Sequence, residues 1–197
     1  MPHLKNLDYR SYQERMLIIS AYDRWIRSQM EIKRLEFYYV NFMFNRLPGR
    51  RPARIEQMKS EVTRFHSILS RHVVRKRNAW MWKFLIPQLF GVPDLPVWKH
   101  KKATIAPCTL NDGLHFNAII RMPPRFTKAE LRNRESVMFR SRLKVPLDQH
   151  VDQCPQFYLT DKLHRIDVTR ITSGTMIDYT FKALKNGHVG YDDILVL

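Results

Sequence analysis

Asn111-Asp112-Gly113-Leu114-His115-Phe116-Asn117-Ala118-Ile119-Ile120 is the stretch that decides the fold class. Asn-Asp-Gly between two apolar runs is a hairpin signal, because these residues tolerate the left-handed backbone of a tight turn. The first arm is the run from Thr104 to Leu110. In the second arm side chains alternate, so Leu114, Phe116, Ala118 and Ile120 share one face and His115, Asn117 and Ile119 the other. An imidazole and an amide therefore emerge side by side from a sheet.

Upstream, Phe37-Tyr38-Tyr39-Val40-Asn41-Phe42-Met43-Phe44 is β-branched and aromatic and ends at Asn45-Arg46-Leu47-Pro48-Gly49, which reads as a buried strand and a turn. Before it, Ser11-Tyr12-Gln13-Glu14 has the capping-box pattern, and Tyr12, Met16, Ile19, Tyr22, Ile26 and Met30 recur at helical spacing. A helix of about six turns follows, with this stripe packed into a core. Pro52 suits a first helical position, and Ile55, Met58, Val62, Phe65, Leu69 and Val73 predict a second long helix running to Asn78. Ala79 to Ile86 reads as a strand and 87–99 as a Pro-rich connection.

Downstream, Thr127 with Glu130 caps a helix to about Arg140. Phe157–Leu159 and Arg165–Ile171 read as strands, and Met176–Lys185 as a last helix stopped by Asn186-Gly187. This order predicts an α+β fold, an antiparallel β-sheet with flanking helices.

The 197 residues, 44% hydrophobic and 12% aromatic, suffice for a core and exclude a disordered or fibrous chain. With no repeat and no Gly/Ser linker, a single domain over 1–197 is expected, with 1–35 as an N-terminal helical extension and 36–190 as the core. Two cysteines, Cys108 and Cys154, in no metal-binding spacing argue against a disulfide scaffold and a zinc finger. The start lacks the apolar block of a secretory signal and no apolar run is long enough to span a bilayer, so a soluble, cytoplasmic protein is expected.

The formal charge is +16, with +11 in 46–102 and +6 in 121–144. Such a field attracts polyanions, nucleic acid first and an anionic membrane surface second. Arg50 and Arg51 just ahead of the second helix, Arg54, Arg71, Arg75, Lys76 and Arg77 on it, and Arg121 and Arg125 are the candidate phosphate contacts. The helical ones read equally as a solvated face. Trp80, Trp82 and Trp98 read either as core or as stacking platforms for bases.

His115 and Asn117 two apart on a strand form either a satisfied polar pair or a two-point clamp for Mg²⁺ or Mn²⁺. On the last helix Ile177, Phe181 and Leu184 mark a buried stripe, while Tyr179 and Lys182 project from the other side. They read as a surface Tyr/Lys pair or as a nucleophile with an electrostatic helper.

Taken in order, the strand FYYVNFMFNRLPG, the basic helix, the strand DGLHFNAII, the strand RIDVTRI and the helix DYTFKALKNG resemble a single-tyrosine HUH-type nuclease of rolling-circle replication initiators. The resemblance spans about 35–190 and implies an RRM-like or ferredoxin-like sheet with the metal strand at its centre. It further implies His115 as first metal ligand, Tyr179 as nucleophile and Lys182 as its partner. At Asn117 the family usually has a second His, and Pro107 and Cys108 stand where several relatives keep a Glu, leaving Asp112, Asp167 and His164 as candidate third ligands.

The expected activity is metal-dependent nicking and joining of single-stranded or hairpin DNA through a 5′-phosphotyrosyl intermediate, at the replication start of a plasmid or phage. No GxxxxGK[ST] motif is present, so any helicase would be a separate protein. The alternatives are a degenerate DNA-binding module on the same scaffold and a basic RNA-binding protein.

Overall fold

The computed structural model describes residues 3–32, 35–74, 85–95, 113–123, 143 and 145–197, with side chains from Ser11 onward. In chain order the elements are α1 (His3–Met30), β1 (Glu36–Phe44), α2 (Arg51–Val73), β2 (Gln88–Asp94), β3 (His115–Met122), α3 (Leu147–Gln153), β4 (Leu163–Arg170), α4 (Ile177–Thr180), α5 (Lys182–Lys185) and β5 (Leu195–Val196). The strands form one antiparallel sheet in the order β4-β1-β3-β2-β5. The run β1-α2-β2-β3-α3-β4 is the β-α-β-β-α-β arrangement of ferredoxin-like domains, with β1 and β3 at the centre.

Strand alternation splits the apolar residues into two layers. Tyr38, Val40, Phe42, Phe44, Phe116, Ala118 and Ile120 face α2 and α3, burying Met58, Val62, Phe65, Leu69, Leu147 and Val151. Phe37, Tyr39, Phe90, Val92 and Ile119 face α1 and the C-terminal helices, burying Ile19, Ile26, Ile177, Phe181 and Leu184. From Met16 on, the α1 stripe is core, as its spacing predicted, with Ile26 fully buried and Tyr22 stacked on Phe90 and Phe181, whereas Tyr12 at its start is exposed.

Both long helices depart from their expected ends, α1 starting at His3, ahead of the Ser11 cap, and α2 stopping at Val73, short of Asn78, and three further readings of the sequence are corrected. The strand after α2 is Gln88–Asp94, inside the stretch read as a Pro-rich connection, whereas Leu85 and Ile86 are not strand; residues 79–84 lie outside the described residues. Pro93 is tolerated for a specific reason. Leu89 and Leu197 exchange backbone hydrogen bonds of 2.9 and 2.8 Å, so the nitrogens of Gly91 and Pro93, by alternation, also point toward the β5 edge. There β5 pairs only with Phe90 and Gly91, and Pro93 forfeits no ladder bond. A Cβ on Gly91 would collide with the Asn117 carbonyl oxygen and stand 2.7 Å from the Ala118 Cα, so glycine lets β2 lie close on β3.

Secondly, Phe157–Leu159 is not a strand. Pro155 opens a single 3-10 turn, Pro155–Phe157, and the Tyr158 and Leu159 N–H groups both donate to the Pro155 carbonyl at 2.9 Å, leaving none for a neighbouring strand. The helix α3 just before it was not foreseen. Thirdly, the last helix is broken at Phe181 (φ −95°, ψ 16°) into α4 and α5. Its predicted stop holds: Gly187 has φ +69°, and the Gly187 and His188 N–H groups close on the Leu184 and Ala183 carbonyls. The expected helix over 127–140 and the first hairpin arm lie outside the described residues.

Candidate active site

The site lies on the α1 side of the sheet, at the end where β1 and β2 finish and β3 begins. Backbone pairing sets two polar rows across four strands. Asp167, Asn41, Asn117 and Val92 form one; Arg165, Met43, His115 and Asp94 form the other. His164 is the extra residue of a β-bulge, because Arg165 pairs with Met43 while Leu163 pairs with Phe44. The apolar roof supplied by α1, α4 and α5 covers Tyr39 and Ile119 one step further along the strands.

Hydrogen bonding ties these rows to the tyrosine helix. The Tyr39 hydroxyl donates to Asn117 Oδ1 at 2.7 Å, and Asn117 Nδ2 reaches Asp94 Oδ2 at 3.4 Å. The Tyr39 ring meets the Tyr179 ring edge to face, centroids 5.4 Å apart. Tyr179 is 52% exposed and Lys182 is exposed as well, whereas Ile177, Phe181 and Leu184 are buried, the division the sequence predicted. Tyr179 and the His115 strand thus belong to one cluster, linked through Tyr39 and Asn117.

Three polar atoms of the cluster, His115 Nδ1, Asn41 Oδ1 and His164 Nδ1, are buried with no hydrogen-bond partner among the described residues. Buried polar atoms are seldom left so, and a group of them side by side on one end of a sheet marks a place for a ligand. Burial, first of all, pushes the His115 imidazole below its ordinary pKa, opposed by Asp94 and Asp167 and reinforced by His164. The ring is neutral at pH 7 and open to a metal. Burial, then Tyr179, Asp94 and Asp167, push the Tyr39 phenol upward, so Tyr39 stays a hydrogen-bond donor.

No three His, Cys, Asp or Glu side chains among the described residues are gathered as a metal cluster. The donor set fits a hard divalent ion of few protein bonds: the His115 nitrogen and the Asn41 amide oxygen are free, and the Asp94 carboxylate stands opposite His115 in the register. Asn117, the expected second ligand, accepts the Tyr39 hydrogen bond on its amide oxygen, which leaves that oxygen one further lone pair. Asp167 pairs with Arg165 at 2.7 Å.

The basic residues divide otherwise than the sequence suggested. Arg50, Arg51, Arg54 and Arg71 belong to α2 or its cap, whose core face packs on the opposite side of the sheet from Tyr179; Arg51 lines a cavity with Arg15, Leu184 and His188, Arg54 bonds the Gly49 carbonyl and Arg71 the Ser67 carbonyl. Arg121 is corrected outright. It is only 9% exposed, beneath α1, with Nη1 bonded to Gln29 Oε1 at 3.2 Å, and is no surface phosphate contact. Arg75, Lys76, Arg77, Arg125, Asp112 and the tryptophans Trp80, Trp82 and Trp98 lie outside the described residues. Arg24 and Arg27 of α1 line a cavity of about 500 Å³ with Asp23, Asp178, Thr175 and Tyr179, and Arg27 is paired with Asp23 at 2.8 Å. The sequence showed them only as the polar side of a core helix.

Asp94, Asn41 and Tyr39 were missed as site residues. Asn41 had a signal, a lone amide in an apolar strand; Asp94 had none, because its strand was read as a loop. No protein-family model matches the chain, and no curated protein or solved structure matches it.

Proposed function

We propose that this protein is a single-strand DNA nicking and joining enzyme of the HUH type, with Tyr179 as its nucleophile. The observation that carries the proposal is the linkage of an exposed tyrosine on α4 to the imidazole and amide of the central strand through the Tyr39–Asn117 hydrogen bond. The ferredoxin-like strand order supports it, because it sets His115 and Asn117 on a central strand.

The Tyr179 oxygen attacks the scissile phosphorus, an O–P bond to the 5′-phosphate of the downstream fragment forms, and the P–O3′ bond to the upstream fragment breaks. The phenolic proton passes to solvent and the departing oxygen takes one up as a free 3′-hydroxyl. Because the phosphodiester energy is kept in the phosphotyrosine, the 3′-hydroxyl can reverse the step and rejoin the strand. Exposure of the Tyr179 ring admits a strand, and Arg24, next to the Asp23–Arg27 pair, is the cation at hand for its phosphates. The Tyr39 ring edge fixes the Tyr179 ring against the sheet. His115, with Asp94 and the amide oxygen of Asn41, would hold a Mg²⁺ or Mn²⁺ ion, which would supply Lewis-acid polarisation of the phosphate.

Incubation with labelled single-stranded oligonucleotides and Mn²⁺ is expected to yield a protein-DNA adduct stable on a denaturing gel. Tyr179→Phe should reduce it by on the order of 10⁴-fold. An adduct that survives this substitution overturns the assigned nucleophile. Binding without an adduct under any divalent ion favours the second reading, a non-cutting DNA-binding module, which the occupied Asn117 oxygen supports.

A further inference from the structure

The opposite side of the sheet holds a second convergence of metal-binding atoms. His72 is in the last turn of α2, His150 in α3, and Tyr158 follows the 3-10 turn. His72 Nδ1 and His150 Nε2 are 3.1 Å apart, and the Tyr158 hydroxyl lies 3.2 Å from the first and 2.9 Å from the second. All three residues are buried, at 6%, 5% and 0% exposure.

Protons can bridge only two edges of this triangle. Each ring nitrogen brings one in-plane lone pair or one proton, and the phenol brings one proton. His72 to Tyr158 to His150 can be closed by two hydrogen bonds, but the direct edge between the two nitrogens is then left without a proton of its own. A cation at the centre satisfies all three atoms together. Ligands about 2.0–2.1 Å from a tetrahedral Zn²⁺ are about 3.3 Å apart, close to the three observed edges. The ring arrangement agrees, since two imidazoles sharing one ion at that distance have centroids separated by about 5 Å. The His72 and His150 centroids are 5.2 Å apart, with their planes at 87°.

The geometry points to a transition-metal site built by His72, His150 and Tyr158, taking Zn²⁺ or a similar imidazole-binding divalent ion. It is separate from the His115 cluster in position and in donor chemistry. Two imidazoles and a phenol suit a borderline ion, whereas one imidazole with carboxylate and amide oxygens suits Mg²⁺ or Mn²⁺. Burial, and secondarily His72, keeps His150 below its ordinary pKa and therefore neutral, as a ligand must be. Burial keeps the Tyr158 phenol protonated in the empty site, so binding must release its proton to solvent as the Zn–O bond forms. Bound there, the ion would clamp α3 and the turn after it onto the C-terminal end of α2.

The full-length protein, stripped with chelator and titrated with Zn²⁺ alone, is expected to take up one ion that remains when His115→Ala removes the nicking site. Uptake should release protons and give the ultraviolet difference spectrum of tyrosine becoming tyrosinate. Tyr158→Phe should abolish that spectrum and weaken Zn²⁺ binding by at least about tenfold. If Tyr158→Phe does not fold, the spectrum and proton release of the His115→Ala protein decide. Zn²⁺ uptake that disappears with His115→Ala, uptake without tyrosinate, or a tyrosinate signal unchanged in Tyr158→Phe overturns the proposal. None of these outcomes touches the DNA adduct at Tyr179, so the two proposals stand or fall separately.

Discussion

The two sides of the sheet are built from alternate residues of the same strands, yet they treat polar atoms in opposite ways. Beneath α2 and α3 the His72, His150 and Tyr158 atoms converge on one another inside an aromatic core of Phe42, Phe65 and Phe116. Beneath α1 and α4 the roof is incomplete, and at its margin His115, Asn41 and His164 keep buried atoms without partners next to an exposed Tyr179. One side places its polar groups where they hold the fold. The other leaves three of them where a substrate can complete them; Ser70 of α2 and Asp148 of α3 also keep a buried oxygen without a partner among the described residues, so it is the gathering of three beside an exposed tyrosine that identifies the candidate active site.

Substitutions on each side test this division. Phe65→Ala, in the fully packed side, should cost about 3–5 kcal/mol of stability, seen as a lower denaturation midpoint, while the protein that remains folded forms the DNA adduct at an unchanged rate. Loss of adduct in proportion beyond the folded fraction would break the division. Tyr39→Phe, on the other side, keeps the ring against Tyr179 but removes the hydroxyl from Asn117. It should cost about 1–3 kcal/mol, because the Asn117 oxygen is left unpaired, and it should lower the Mn²⁺ concentration needed for adduct formation severalfold as that oxygen becomes free to ligate. A metal requirement that rises instead would mean that Asn117 serves only to position Tyr39.

Acid should weaken both sides modestly. His115 and His150 each have a folded-state pKa lowered by burial from the ordinary 6.5. Between that value and the lowered one the unfolded chain binds more protons than the folded one, so stability rises with pH through this window and is lost as pH falls through it. Denaturant midpoints of chelated protein measured from neutral pH down should show this slope, and His150→Gln should flatten it. A midpoint flat over that range would contradict the burial of both imidazoles.

How much of this was legible in the sequence depended on whether the determinant was local. Period-two alternation placed His115 and Asn117 on one face and Phe116 and Ala118 on the other, and helical spacing placed Ile177, Phe181 and Leu184 inward with Tyr179 outward, because alternation and helical pitch are properties of the backbone itself. β2 was hidden because Pro87 and Pro93 announce a loop, and only the position of Pro93 past β5 makes it tolerable in a strand. With β2 went Asp94, which acquires its meaning from the register opposite His115. Likewise Tyr39 read as a core aromatic, since its bond to Asn117 spans 78 residues. Arg121 was misjudged for a related reason: its charge suggested a surface, but its place in the alternation, on the face that carries Ile119, sends it under α1.

The short pairing of β5 with β2 also bears on how copies of the molecule meet. A flank that offers a row of free N–H and C=O groups invites a neighbouring chain to extend the ladder. Here the terminal residues occupy the β2 flank at Leu89–Gly91, and Pro93 interrupts the row just past them. The chain thereby seals its own margin, and that flank makes a poor template for stacking a second molecule strand against strand.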